Sequence, residues 1–538
     1  MDRAVDPSFD VGSQVQGFHT VQSNQYKELN SNFFLTVTKD FSPDLVGSLM
    51  VGNSIVDIQN PSSYTRGETQ ILPNFTALNN YKTLFYGADA YQKRLVSAFG
   101  QAKLSYKNYL FLDITGRNDW TSTLPVGNNS FFYPSVSLSA VLSDMFDIKG
   151  SVLSYAKLRA SYAQVGKDTR PYNVGIYFNS LADVPINGQI AFTRSSSRPD
   201  PNLKPETTTS AEIGTELRFL KDRFRLDVTY FNMDSKNQIF SVPVSNASGS
   251  SRYVTNAGLI NNQGVEILLG ATIMKTKNFS WEANINWSKL GSKVITMPTG
   301  IPEITYADVH PSGLVVSRIV EGSSLGDLWG YDYKRDASGN IQIQTNGLPL
   351  VDNSKYIKLG NAFPAWQGGL TNNFTYKDVS LSFLWEWRNG GDVVDMAETN
   401  SIRNGIIRLT GNRYEQGYFN SVGVDGQPNT KLVYLDDNFY RSLTQSYGYY
   451  KYNIQDGSWV RLRNVSLGYG VSKKMLAKLP FDALRITFTA NNLFLNTPFR
   501  GYDPESLTFG SGTNLIGYVG RNNPATRSFQ LGINLTFK

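Results

Sequence analysis

The chain has 538 residues, of which 40% are hydrophobic and 13% are aromatic, with 30 Tyr and 31 Phe. This is less apolar than the ~45–50% of soluble domains, and it favours a β-barrel in which only the lipid-facing half of each strand is apolar. The absence of Cys excludes disulfides and thiolate metal sites, and a net charge of +7 without any Lys/Arg run argues against nucleic-acid binding.

The N-terminal residues, MDRAVDPSFDVGSQVQG, lack the charged start and apolar stretch of a signal peptide, so none is predicted in this chain. No apolar run reaches the ~18 residues that a transmembrane helix needs. If the chain crosses a membrane, it must therefore do so with strands.

The clearest strand pattern is the final segment, SFQLGINLTF, where apolar and polar residues alternate over a length that spans a bilayer as a tilted strand. The same alternation recurs upstream and predicts about 15 strands. They lie near 31–41, 44–54, 93–106, 108–118, 133–143, 155–166, 206–220, 223–233, 263–276, 279–292, 366–376, 378–389, 457–470, 483–494 and 526–537. In 457–470, Trp459, Arg461, Arg463, Val465 and Leu467 share one parity, which predicts a bulge or a wet face.

The connections between these strands alternate between short and long. Short links stand at Phe41–Asp44, Lys107, Lys221–Asp222, Lys277–Asn278 and Lys377, and long ones are predicted at 55–92, 167–205, 234–262, 293–365, 390–456 and 495–525. Outer-membrane barrels have this asymmetry, with tight periplasmic turns and long extracellular loops. The predicted fold class is therefore all-β, a transmembrane antiparallel β-barrel in the bacterial outer membrane.

Charged residues lie opposite the apolar rows of these strands, where a barrel would place them on a wet lumen or against an inserted plug. The candidate lumen-lining residues are Asp113, Glu212, Glu216, Arg218, Asp227, Glu266 and Arg485. In a soluble sandwich the same residues would face solvent.

The sequence contains no recognisable catalytic or cofactor motif, so no enzyme, no cofactor and no metal site is predicted. His19 and His310 are far apart and have no paired ligand nearby. The stretch DYKRDASGN (332–340) carries oxygen side chains that calcium could use, but it lacks the EF-hand register and the closing Glu. A tight turn is the preferred interpretation, and calcium remains the alternative.

The candidate substrate-binding residues lie in the long loops, where aromatic rings can stack on sugars or apolar side chains and charged groups can orient a ligand. They are Trp329, Tyr331, Tyr333, Tyr447, Tyr449, Tyr450, Tyr452, Arg500, Tyr502 and Asp503. The alternative is that these residues pack the loops together or contact a partner. The Gly-Tyr-Asp-Pro stretch at 501–504 is predicted to be a structural turn.

Several stretches together resemble the SusC/RagA-like TonB-dependent transporters of Bacteroidetes over essentially the whole chain. They include KLRASYAQVGKD (157–168), LKPETTTSAEIGTELRFLKDRFRLDVTYFNMDSKN (203–237), NAGLINNQGVEILLGATIMKTKNFSWEANINWS (256–288), GNAFPAWQGGLTNNFTYKDVSLSFLWEW (360–387), WVRLRNVSLGYGVSKKML (459–476) and NNLFLNTPFRGYDPES (491–506). The resemblance implies a large barrel with an N-terminal plug, import of bulky nutrients such as glycans or peptides energised through TonB, and a SusD-like surface lipoprotein as partner.

Transporters of this class have about 22 strands, so the chain would be the C-terminal part of the barrel, without the plug, the TonB-contacting segment and the first strands. If the last strand runs toward the periplasm, residues 1–30 lie in an extracellular loop and residues 31–538 form the barrel portion. Two alternatives remain open, a passive porin or adhesin-like barrel and a soluble secreted β-protein.

Overall fold

The computed structural model describes residues 2–5, 17–148, 150, 152–186, 189–298, 300–308, 315–418, 421–436, 439–440, 453–509, 515–520 and 522–537. Antiparallel strands dominate these residues. The helices are short: α1 (Leu142–Met145), α2 (Met396–Arg403) and α3 (Lys473–Leu476), with single 3-10 turns at Leu78–Asn80, Val126–Asn128, Asn246–Ser248 and Arg408–Thr410. No helix in these ranges is both long enough and apolar enough to cross a membrane.

The strands of the first half of the chain are β1 (Asp2–Val5), β2 (Phe18–Asn24), β3 (Lys27–Ser42), β4 (Leu45–Gln70), β5 (Tyr81–Tyr106), β6 (Leu110–Thr121), β7 (Ser130–Val141), β8 (Leu153–Lys167), β9 (Phe178–Ile186), β10 (Gln189–Arg194), β11 (Ser197–Pro199), β12 (Glu206–Phe219), β13 (Phe224–Pro243) and β14 (Arg252–Lys275).

The second half adds β15 (Phe279–Thr296), β16 (Glu303–Asp308), β17 (Val315–Val320), β18 (Asp327–Tyr333), β19 (Gln342–Ile343), β20 (Val351–Asn361), β21 (Pro364–Tyr376), β22 (Val379–Gly390), β23 (Val393–Asp395), β24 (Gln416–Gly417), β25 (Val422–Gly423), β26 (Val433–Tyr434), β27 (Ile454–Gln455), β28 (Trp459–Gly470), β29 (Phe481–Asn496), β30 (Tyr518–Val519) and β31 (Ser528–Phe537). All fifteen predicted strands are present, as β3 to β8, β12 to β15, β21, β22, β28, β29 and β31.

The chain divides into two compact units. The first comprises residues 1–138, 162–209 and 235–257, and the second comprises 139–161, 210–234 and 258–538. In the first unit, β4 pairs antiparallel with β5 along its whole length, and its other side is shared by β3 and β2. In the second unit, an antiparallel ladder runs from β14 through β15, β21, β22, β28 and β29 to β31.

The predicted short links are tight turns. Residues Lys107, Asn108, Lys221, Asp222 and Lys377 have positive φ angles. Two consecutive residues with positive φ give a twist that matches two antiparallel strands, as in the turn of Lys107 and Asn108 between β5 and β6. These turns hold neighbouring strands in register.

Some strands are longer than the alternation predicts and extend into the ranges 55–92, 234–262 and 1–30. β4 and β5 extend through most of 55–92, β13 and β14 leave only 244–251 between them, and β1 and β2 lie within 1–30. The physical reason is that backbone hydrogen bonds between neighbouring strands can extend a strand regardless of its side chains. Alternation of apolar and polar residues arises only where one face of the strand is apolar.

The outward face of the last strand is apolar. Phe529, Leu531, Ile533, Leu535 and Phe537 are all exposed, and they alternate with Ser528, Gln530, Gly532, Asn534 and Thr536. β31 pairs with β29, and β3, whose sixteen residues are all exposed, pairs with β4.

The predicted bulge in β28 is confirmed. The pairing of β28 with β22 passes from Leu462 directly to Asn464, and the pairing with β29 skips the same residue, Arg463. One extra residue reverses the alternation. Arg461 therefore faces the opposite side of the sheet from Val465 and Leu467, although all three have the same parity.

Candidate functional site

Four of the predicted lumen-lining residues, Asp113, Glu216, Arg218 and Asp227, form hydrogen bonds with other side chains on the strands. Arg159 on β8 holds Asp227 on β13 through both carboxylate oxygens, at 2.8 and 2.5 Å. Arg218 donates to Glu216 at 2.8 and 2.9 Å, and Asp113 accepts from Gln101. Such pairs balance charge while this face of the strands stays polar.

The remaining members of that set are less constrained. Glu212 accepts from Ser210 at 3.1 Å, and the Arg485 guanidinium donates to the Ser380 hydroxyl. Glu266 and the Arg159–Asp227 pair line a cavity of about 390 Å3 in the second unit. The structure thus places all seven predicted residues on strands and joins two of them, Glu216 and Arg218, in one ion pair.

Three of the long connections, 293–365, 390–456 and 495–525, fold around a common core. Val315, Leu328, Ala362, Val394 and Tyr518 are buried together in it. A small sheet adds to this, because β23 pairs antiparallel with β27 and parallel with β30. The described parts of these connections are therefore structured and mutually supporting.

Arg500, a predicted substrate contact, is held in this core assembly. Its guanidinium donates to both oxygens of Glu398 at 3.0 and 2.8 Å, and its backbone N–H donates to Gln455 at 2.8 Å. Gln455 in turn donates to Glu398 at 2.9 Å. Because Glu398 lies buried on α2, whose N-terminus is capped by Asp395, this network fastens the last long connection to α2.

Asp503, another predicted contact, is buried in a second network. Arg461 donates to its two oxygens at 3.1 and 2.7 Å, and Arg461 and Asp503 are only 2% and 3% exposed. Glu505 lies 3.1 Å from Arg461 and 2.9 Å from Arg463, which also pairs with Glu386. Asp503 also accepts from the backbone N–H of Glu505 at 2.9 Å, which confirms the structural turn predicted at 501–504.

The aromatic candidates of the 293–365 connection are packed rather than free. Tyr331 stacks on Tyr356 with ring centroids 4.4 Å apart, and the Arg318 guanidinium lies over both Tyr356 and Trp329. Tyr333 packs against the buried cluster of Ile402 and Tyr440, and burial raises the pKa of its phenol. These contacts favour the packing interpretation for this group.

Tyr502 has the opposite environment, because it is 78% exposed beside the buried Asp503. Tyr447, Tyr449, Tyr450, Tyr452 and His310 lie outside the described residues. His19 lies near the Tyr81 ring, and no cluster of three or more metal-ligating side chains occurs in the described ranges. Among the loop candidates that the structure describes, Tyr502 is thus the most available to a ligand or partner.

The stretch 332–340 forms the predicted turn. The Asp336 carboxylate accepts from the amide side chain of Asn340 at 3.1 Å and from the backbone N–H groups of Ser338 and Asn340 at 2.9 and 2.8 Å. The same bonds hold the pKa of Asp336 below its usual value. Its oxygens therefore already have protein donors.

A larger cavity, of about 900 Å3, lies in the first unit and was not predicted. Its lining includes Tyr26, Tyr91, Tyr172, Lys93, Lys167 and Arg170. Asp168 anchors the segment that follows β8, because it accepts from Lys93, Thr121 and Thr123 at 2.6, 2.5 and 3.0 Å. No local pattern marks this cavity, since its walls come from segments that are distant in sequence.

The chain matches the family described as TonB dependent receptor-like, β-barrel, over residues 3–493. The chain belongs to this family. It is thus an outer-membrane β-barrel protein, as its apolar outward rows and polar opposite face require.

Named relatives of this receptor barrel support the assignment. This chain is 23% identical over 560 residues to TonB-dependent receptor P3 of Formosa agariphila, and the alignment covers 98% of this chain and 54% of the relative. It is 25% identical over 477 residues to TonB-dependent receptor SusC of Bacteroides thetaiotaomicron, covering 84% of this chain and 44% of the relative. The chain thus spans about half the length of these relatives.

A solved structure shares the fold. The RagAB peptide transporter aligns with 99% of this chain and 58% of its own chain, with a TM-score of 0.77 and 16% sequence identity. The predicted resemblance to SusC/RagA-like barrels is confirmed by these matches.

Proposed function

We propose that this chain forms the C-terminal wall and the extracellular loops of a transporter that imports bulky nutrients, such as glycans or peptides, with energy supplied through TonB. Family membership over residues 3–493 is the observation that carries this proposal. The long connections with a shared core would form the extracellular side, and the paired charges on the strands would line the lumen.

The remaining wall and the plug would come from residues outside this chain. The coverage of the relatives supports this, because this chain corresponds to 54% and 44% of their lengths. Residues 1–30 would then lie on the extracellular side, and TonB would act through the plug rather than on this chain.

A SusD-like surface lipoprotein would close the extracellular mouth. Exposed Tyr502, beside a rigidly held turn, is the type of residue that supplies contact area at low entropic cost. Cargo would be captured between the lipoprotein and the loops, and no bond of the cargo would be broken by this chain.

Uptake of labelled cargo by cells carrying the complete protein tests this function. Uptake should stop when TonB is deleted or when an uncoupler collapses the proton gradient. Uptake that continues at the same rate under both treatments would instead identify a passive barrel and refute the proposal.

A further inference from the structure

We propose that the 900 Å3 cavity of the first unit binds an extended acidic peptide, which adds as a strand to the open outer edge of β5. This inference rests on the proposed import function and names the class of cargo that this cavity would take. It depends on three features of the first unit, namely a free strand edge, two oriented backbone donors and an unpaired cation.

The free edge arises because β5 is longer than the strand beside it. β4 pairs with β5 from Tyr81 to Tyr106, but β6 pairs with β5 only from Leu95 onward. Ser122 forms hydrogen bonds with the backbone N–H and C=O of Arg94. Within the described chain, no strand pairs with this edge of β5 from Lys93 back to Tyr81. A strand edge of this kind is a template for an added strand.

The direction of the backbone groups on this edge can be determined. Ala90 lies opposite Pro61, which has no N–H, and the Pro61 carbonyl accepts from Gln25 on the side away from β5. The backbone N–H and C=O groups of Ala90 therefore point away from β4. Because these directions alternate along an antiparallel pair, the backbone groups of Gln92 and Arg94 point away from β4 as well.

Side-chain oxygens occupy the positions where a ligand carbonyl would accept. The N–H of Ala90 donates to the carboxylate of Asp89 at 2.8 Å, and the N–H of Gln92 donates to the hydroxyl of Tyr172 at 3.2 Å. The two donors are two residues apart, which matches the repeat of an added strand. An incoming peptide would replace these exposed side-chain acceptors with its own carbonyls.

The side chains that line the cavity supply charge and rings. Lys93 is paired with Asp168, and Lys167 lies 3.4 Å from Glu206. Arg170, which is exposed and lines the cavity, forms no ion pair with any residue that the structure describes, and Asp89, which accepts from the Ala90 N–H, is the acidic lining residue without one. A ligand carboxylate would therefore find its partner at this arginine, while the rings of Tyr26, Tyr91 and Tyr172 would contact the peptide side chains.

The size of the cavity selects a short peptide over other strands. A volume of about 900 Å3 falls within the ~300–1,000 Å3 of ligand sites. The segment 167–173 lines the cavity beside β5, and the edge of a folded partner or of a second copy of this chain would have to displace it.

The test uses the complete transporter, purified in detergent, and a fluorescent hexapeptide of sequence Thr-Glu-Val-Thr-Glu-Val. A second peptide has the same side chains but carries a methyl group on every backbone amide, so it cannot donate to a strand edge. We expect the methylated peptide to bind at least tenfold more weakly. Equal binding of the two peptides would overturn the proposal without requiring any variant.

Two proline variants form a matched pair. Ala90→Pro removes an outward donor inside the cavity, and Leu84→Pro removes one on the same edge, roughly 20 Å away at ~3.3 Å per residue. Only Ala90→Pro should weaken peptide binding, by about tenfold. Equal effects of the two variants would contradict strand addition at the cavity.

Arg170→Gln tests the charge. It should weaken the glutamate peptide about tenfold and leave a peptide with Gln in place of Glu unchanged. Displacement of the peptide by maltohexaose would show that the cavity takes sugar and would refute the peptide assignment. TonB-dependent uptake of a different cargo, combined with no peptide binding, would refute this inference alone and leave the proposed function standing.

Discussion

Replacing Asp503 with Ala should loosen the last long connection, because it leaves the Arg461 guanidinium buried without its main partner. Arg461 is 2% exposed and donates twice to Asp503. Removing one member of a buried ion pair costs about 3–5 kcal/mol. Glu505, 3.1 Å from Arg461, stays in place, so we expect the lower end of that range, about 3 kcal/mol.

Hydrogen exchange of the complete protein in detergent measures this effect locally. The Thr508 amide donates to the Tyr518 carbonyl at 2.8 Å and reports on opening of the connection. A cost of about 3 kcal/mol corresponds to exchange faster by on the order of a hundredfold. Glu505→Ala is the matched control, because Glu505 is partly exposed and its pairs should contribute less than about 1 kcal/mol.

A double variant separates burial of charge from loss of contacts. Arg461→Met combined with Asp503→Leu replaces the pair with apolar side chains of similar size, which is often neutral. We expect the exchange of Thr508 to return to within about tenfold of the parent, which corresponds to about 1.4 kcal/mol. If Asp503→Ala changes exchange less than threefold, or if the double variant is as destabilised as the sum of the singles, this reasoning is refuted.

Three further predictions concern the outer wall and the loops. Ile533→Lys places a charge on the exposed apolar face of β31 and should lower the free energy of urea-induced unfolding from lipid vesicles by about 2–4 kcal/mol. Asn534→Lys, on the other face, should lower it little, and equal losses would contradict the lipid-facing assignment. Burial raises the pKa of Asp392, so its stabilising contribution is complete below the ordinary value of 3.8 and is lost as pH rises through the raised pKa. Asp392→Asn should therefore stabilise the loops at pH 7 but not at low pH, and a pH-independent difference in thermal unfolding would argue otherwise. Tyr502→Ala should leave stability within about 0.5 kcal/mol and weaken cargo or lipoprotein binding about tenfold, and unchanged binding would remove Tyr502 from the interface.

The wall of the barrel was predictable from the sequence because lipid on one face and water on the other impose alternation. The shared parity of Trp459, Arg461, Arg463, Val465 and Leu467 predicted a bulge or a wet face in 457–470, and the structure places a bulge at Arg463. The loops lack this constraint. The extension of β4 to Gln70 depends on backbone pairing with β5 and β2, to which side-chain pattern contributes nothing.

The loop candidates show the same limit. Asp503 and Arg500 have the composition of ligand contacts, but Arg461 and Glu398, which satisfy them, lie 42 and 102 residues away in sequence. No short window contains both partners of either pair. The 900 Å3 cavity escaped prediction for the same reason, since Tyr26, Tyr91 and Tyr172 converge only in the folded chain.

The common core of the three long connections has a consequence for exchanging loops between relatives and, under the proposed import function, for changing the cargo. Val315, Val394 and Tyr518 come from different connections and bury one another. Grafting a single loop from a relative would remove one side of this core and leave the other two with mismatched apolar surfaces. Altered cargo preference would therefore have to come either from exchanging the three connections as one cassette or from substituting exposed positions such as Tyr502.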